Sequence, residues 1–169
     1  MQGPRLKAGG RAFAHIAQYH PELTALRRDL HAHPELGFEE VYTSKRVKEA
    51  LKLCGVDEIH DGIGRTGVVG VIRGRSTASG SMVGLRADAP RKSAALTGAG
   101  AARYLAETRH FDGTAVLVFQ PGEEGFAGAR VMMEDGLFDR FPVQSIFAMH
   151  NWPAMKPGTV GINAGPMMA

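Results

Sequence analysis

Leu23, Leu26 and Leu30 recur at helical spacing between Pro21 and His33, with Pro21 suited to a first turn and Pro34 closing the far end, so this stretch is expected to be an amphipathic helix. A second helix should begin at Thr43 or Ser44, bury Val47, Ala50, Leu51 and Cys54 on one face, and stop at Gly55 as a left-handed cap. From Gly67 the period changes. The β-branched runs Val68 to Ile72 and Met82 to Ala87, separated by the Gly/Ser-rich stretch Gly74 to Ser81, predict a hairpin. Ala99 to Glu107 reads as a helix by its Ala/Leu content, and Thr114 to Phe119 is a continuous apolar run of the kind buried on both faces of a sheet. A loop over Gln120 to Gly125, a helix from Gly128 to Glu134, a strand from Ser145 to Met149 and a further strand over Thr159 to Ile162 complete the series.

Strand, helix, strand with short links predicts a right-handed crossover and parallel pairing of the flanking strands. The expected fold is therefore α/β: a layered domain with a mixed, largely parallel central sheet flanked by helices. The length of 169 residues suits one such domain, with 1–12 read as a flexible N-terminal extension and 13–169 as the folded part.

Composition narrows the class. Hydrophobic residues at 44% and charged residues at 22% argue against a disordered, collagenous or coiled-coil chain. No apolar run approaches the roughly 20 residues of a membrane span, and no secretory apolar stretch follows Arg5, Lys7 and Arg11, so no membrane partner and a cytoplasmic location are expected. One cysteine, Cys54, excludes an intrachain disulfide and a zinc site built of several thiolates, and reads as packing. The surplus of 20 Lys+Arg over 17 Asp+Glu is spread along the chain, which argues for a solvated mixed-charge surface and against nucleic-acid binding.

In open α/β sheets ligands bind beyond the carboxyl ends of the strands, where loops line a crevice. Asp88, the pair Glu123 and Glu124, and His150 each follow an expected strand. Consecutive carboxylates diverge from a turning backbone, so one can bind a cation while the other moves a proton; with an imidazole from a neighbouring strand tip they make a partial zinc or manganese site. Seen alone, a Glu-Glu pair is more commonly a solvated turn, and Asp88 serves equally well as a ligand or as a strand-end cap. His31 and His33, two apart on a helix, face different ways and read as helix-end packing residues. His15, His20, His60 and His110 carry no partner pattern.

The segments Leu26 to Glu40 (LRRDLHAHPELGFEE), Gly62 to Gly67 (GIGRTG), Gly84 to Asp88 (GLRAD), Phe119 to Gly125 (FQPGEEG) and Ala148 to Pro153 (AMHNWP) resemble, in order, the amidohydrolases of the aminoacylase/carboxypeptidase metallopeptidase superfamily, and within it the hippurate hydrolase and N-acyl amino acid hydrolase group. The resemblance implies a di-metal hydrolase with zinc or manganese that cleaves the amide of a small N-acyl amino acid by attack of a metal-bridging hydroxide. Glu123 matches the general base, and Glu124 and His150 match metal ligands.

Two departures bear on activity. Members of that family carry, after the Arg-Ala-Asp strand, a long loop ending in a His-Ala-Cys-Gly-His-Asp segment with two further ligands; here Asp88 runs through 89–100 into the Ala-Ala-Arg-Tyr-Leu helix, and no His or Cys occurs between His60 and His110. The stretch Gly158 to Ala169 resembles the edge where members pass into a smaller lid and dimerisation domain. The resemblance thus implies an incomplete catalytic domain of a di-zinc exopeptidase-like fold, impaired in catalysis as it stands, with uncovered sheet edges and apolar surface that favour association. The alternatives are an active metallohydrolase completed by a partner chain, with Asp88 as third ligand, or a non-enzymatic interaction module.

Overall fold

The structure, a computed structural model, describes residues 10–88, 92–150, 156 and 159–161. Helices α1 (Gly10–Ala17), α2 (His20–Ala32) and α3 (Val41–Leu53) precede strands β1 (Glu58–Ile63), β2 (Gly67–Arg73) and β3 (Met82–Asp88). Then follow α4 (Lys92–Thr108), β4 (Thr114–Gln120), α5 (Glu123–Phe126), α6 (Gly128–Glu134), α7 (Leu137–Arg140) and β5 (Ser145–Ala148). The strands form one mixed sheet in the order β1-β2-β4-β3-β5, with β1, β2 and β4 antiparallel in turn and β4, β3 and β5 parallel.

Alternation along the strands decides which layer each residue joins. On one face Val68, Ile72, Leu117 and Phe119 pack with Val47 and Leu51 of α3 and Ala102 and Ala106 of α4. On the other, Val69, Val71, Val116 and Val118 pack with Met132 of α6 and Leu137 of α7. The expected α/β layering is present, and β4 is buried on both faces as its unbroken apolar run requires.

Helix α2 places Leu30 in the core with Leu23 and Leu26 half-buried. Helix α3 starts at Val41, earlier than its own side chains suggest, because Glu35 accepts the amides of Tyr42 (2.7 Å) and Thr43 (2.8 Å) from outside the helix. Gly55 follows α3 at φ +74°, and Cys54 is half-buried there, its thiol pushed up by burial. Near α1, the Tyr19 hydroxyl, Arg103 Nε (2.9 Å) and His15 Nε2 (2.8 Å) converge on Glu107, and the Arg103 guanidinium lies 4.1 Å from the Tyr19 ring centroid. The hydrogen bonds from Tyr19 and Arg103 hold the Glu107 carboxyl down at about 2. His15 therefore has a partner that its local sequence did not show, and His60 does as well, at 3.1 Å from Glu58.

The expected strand pairing and loops are corrected in several places. Strands β2 and β3 are not a hairpin: β2 pairs with β1 and β4, and β3 lies on the far side of β4. The intervening stretch pairs elsewhere, with Gly74 N–H bonded to Gly113 O (2.9 Å), Gly113 N–H to Ser76 O (2.8 Å) and Thr114 N–H to Ser81 O (2.8 Å), which carries the chain past the start of β4. The real hairpin joins β1 to β2, and β1 shows no clear alternation in the sequence because an edge strand tolerates polar residues such as His60 and Asp61. No strand forms over 159–161, where Thr159 turns back through its N–H and hydroxyl to Lys156 O, at 3.2 and 2.6 Å; Ile162 lies outside the described residues. Within 120–125, expected as a loop, Gln120 still belongs to β4 and a short helix opens at Glu123. Helix α1 begins at Gly10, inside the stretch read as an extension.

Candidate active site at the carboxyl ends of three parallel strands

Because β3, β4 and β5 run the same way, their last residues stand at one end of the sheet, with Asp88 opposite Gln120 and Arg86 opposite Ala148. Asp88 ends β3 itself, Glu123 and Glu124 open α5 just beyond β4, and His150 follows just after β5. All four expected site residues thus come from three strand tips of one sheet. Glu123 is half-buried and His150 exposed; the side chains of Asp88 and Glu124 lie outside the described residues.

One detail differs from the expectation. β4 and β5 are not neighbours, since β3 runs between them, so at a strand spacing of about 4.8 Å their tips stand about 10 Å apart. Asp88, on the interposed strand, is the residue at the centre of the set. Among the described residues no three His, Cys, Asp or Glu side chains gather as a cation site.

The turn carrying the two glutamates is fixed from several sides. Gly122 adopts a left-handed conformation (φ +50°), and its N–H donates to Glu40 Oε1 at 2.8 Å. Glu40 is 1% exposed, and its other oxygen accepts the Thr66 hydroxyl at 2.6 Å, while Ser44 Oγ donates to the Thr66 carbonyl. Gly122 O in turn accepts Gly128 N–H at 3.1 Å. The backbones approach so closely that a Cβ at Gly128 would stand 1.7 Å from Pro121 O, which leaves glycine as the one residue that fits.

The loop between α2 and α3 folds over this turn. The Phe38 and Phe126 rings meet edge to face at 5.9 Å, and the Arg65 guanidinium lies 4.9 Å from the Phe38 centroid. Phe38 sits at φ +65°, a strained choice for an aromatic residue that the surrounding contacts maintain. Behind the loop, Asp29 accepts Arg46 Nε (2.6 Å) and the Tyr42 hydroxyl (2.8 Å), which together hold its carboxyl below the usual range; the His33 ring stacks on Tyr42 at 4.2 Å. His33 is thus a helix-end packing residue, as expected. A cleft of about 350 Å³ opens between the loop and α5, with Leu36, Phe126 and Glu123 in its wall. Glu35 and Glu40 were visible in the sequence only as part of a longer stretch, with no local pattern to single them out.

Comparison with known proteins bears on the same residues. A model of peptidase family M20/M25/M40 matches residues 75–165, more than half of the chain. Hippurate hydrolase of Campylobacter jejuni is 37% identical over 88% of this chain and 44% of its own length, and an N-acetylcysteine deacetylase of Bacillus subtilis is 34% identical over 89% and 45%. The crystal structure of the Bacillus subtilis YXEP protein, described as a dinuclear metal binding peptidase from the M20 family, superposes with a TM-score of 0.81 at 34% identity, covering 89% of this chain and 48% of that one. The chain spans less than half the length of these relatives.

Proposed function

Given that the chain belongs to peptidase family M20/M25/M40, we propose that its three strand tips are the core of a divalent-metal amidohydrolase site for N-acyl amino acids of the hippurate kind. The observation that carries this reading is the parallel trio β4-β3-β5, which sends Glu123 and Glu124, Asp88 and His150 to one end of the sheet. In it Glu124, His150 and Asp88 hold the cation, and Glu123 is the proton carrier. Two carboxylates and one imidazole suit zinc or manganese, and contributions from three successive strands match the three protein ligands that such a centre needs.

The metal, when bound, supplies Lewis acidity that eases ionisation of water and polarises the amide carbonyl. Glu123 takes a proton from the attacking water and returns it to the departing amine nitrogen, so the amide becomes a carboxylic acid and a free amino acid. The half-burial of Glu123 suits this role, since it lines a cleft without being closed off from solvent.

Turnover by this chain alone is expected to be impaired, because the run from Asp88 to α4 leaves no room for the further ligand segment of the full-length pattern. The test has two parts. Purified chain is titrated with Mn2+ by calorimetry, with His150→Ala beside it, and incubated with N-benzoylglycine while free glycine is measured. Weak Mn2+ binding that His150→Ala lowers further, with no chelator-sensitive glycine release, is the expected result. Absence of any Mn2+ binding sensitive to His150 would overturn the site, and chelator-sensitive release would overturn the impairment. A site completed by a partner chain is the second reading, favoured by the exposure of all four residues of β5; glycine release that rises with the square of chain concentration would establish it.

A further inference from the structure

We infer that Glu40 is a positioning residue for the turn that presents Glu123 and Glu124, acting through the Gly122 amide. The inference rests on the roles proposed above for those two glutamates, but the contact itself does not depend on them. Glu40 stands at the N-cap position of α3, where a carboxylate ordinarily accepts amides of its own first turn. It makes no such bond. Glu35 does that work instead, accepting the Tyr42 and Thr43 amides with its two oxygens. Freed from its own helix, the Glu40 carboxylate reaches across to Gly122 N–H and Thr66 Oγ1, two donors from segments far apart in the chain.

Burial of a carboxylate is unfavourable unless its oxygens are hydrogen-bonded, so a side chain 1% exposed will hold these two donors firmly. Both peptide groups flanking Gly122 are then fixed, its N–H by Glu40 and its C=O by Gly128 N–H. The next residue is Glu123. A displacement at Gly122 is therefore passed directly to the start of α5, whereas the neighbouring Glu39 is exposed to solvent.

The test uses the 15N-labelled chain and reads backbone amide exchange at Gly122, Glu123 and Gly125, together with Mn2+ affinity. Glu40→Ala is compared with Glu40→Gln and with Val47→Ala, a cavity in the same helix that removes neither Glu40 hydrogen bond. Glu40→Ala should speed Gly122 exchange by about tenfold or more over the Val47→Ala control, the loss expected for one charge-assisted bond. Glu40→Gln should restore most of the protection, since its carbonyl oxygen can accept Gly122 N–H while the Thr66 hydroxyl rotates to accept from its amide. Mn2+ affinity should fall about tenfold in Glu40→Ala and stay within about threefold in Glu40→Gln.

Gly122 exchange in Glu40→Ala that merely tracks Val47→Ala would overturn the inference, and so would faster exchange with unchanged Mn2+ affinity. If Glu40→Ala does not fold, Glu40→Asp serves: it keeps the charge but is one methylene too short to span both donors, and wild-type protection of Gly122 in it would overturn the inference. A wild-type chain that binds no Mn2+ refutes the proposed function alone, because amide exchange still decides whether Glu40 fixes the turn.

Discussion

Gly128→Ala is the sharpest probe of how tightly the turn is built. A methyl carbon there would sit 1.7 Å from Pro121 O, about half an ordinary carbon–oxygen contact distance, and the obstacle is backbone, so no rotamer change relieves it. The chain must instead move α6 away from β4, which breaks the Gly128 N–H bond to Gly122 O and opens the packing of Met132, itself fully buried. Overpacking costs about 1–3 kcal/mol and the lost bond about 1 kcal/mol, giving about 2–4 kcal/mol in all. Gly125→Ala is the control. Nothing lies within 4 Å of its Cβ position, and only the left-handed backbone at φ +79° resists, at about 1–2 kcal/mol. Urea unfolding followed by far-ultraviolet circular dichroism measures both. A Gly128→Ala variant no less stable than Gly125→Ala would refute the argument that close approach, and not conformational preference, dictates glycine at this position.

Leu51→Ala, which empties a fully buried place between α3 and the sheet, should destabilise by about 2–5 kcal/mol with an unchanged denaturant slope, read by the same urea titration. The Glu107 carboxyl, held at about 2 by Tyr19, Arg103 and His15, is lowered relative to the unfolded chain. Its contribution is present above the ordinary carboxylate range near 4.5 and is lost as pH falls toward 2. Glu107→Gln should therefore lower Tm at pH 6 to 7, and the gap to wild type should close as pH falls through that window in thermal melts. Phe147→Lys, at a side chain 61% exposed on β5, should change stability by less than about 0.5 kcal/mol while reducing light scattering at high protein concentration.

Legibility in the sequence followed burial. The span Thr114 to Phe119 announced a central strand because both of its faces are covered, and Gly128 to Glu134 announced α6 because its glycine and apolar residues stand where the helix meets the sheet. β1 did not announce itself, since its exposed outer side lets His60 and Asp61 obscure any alternation. The supposed hairpin of β2 and β3 failed for a different reason: bonds from Gly74, Gly113 and Thr114 join segments distant in the chain, and no local pattern encodes them. For the site, chain order was enough to send Asp88, Glu123, Glu124 and His150 to strand ends. The interposition of β3 was not readable, and neither was Glu40, which differs from its neighbour Glu39 only in which way it faces once the chain has folded.

Among the described residues, strand β5 is held from one side only, through four residue pairs with β3. Such an attachment can detach while the strands inside it stay closed, so its amides will exchange through a small local opening and will underreport the stability of the whole domain. His150 follows two residues after that strand, which ties the position of its backbone to whether the strand is seated.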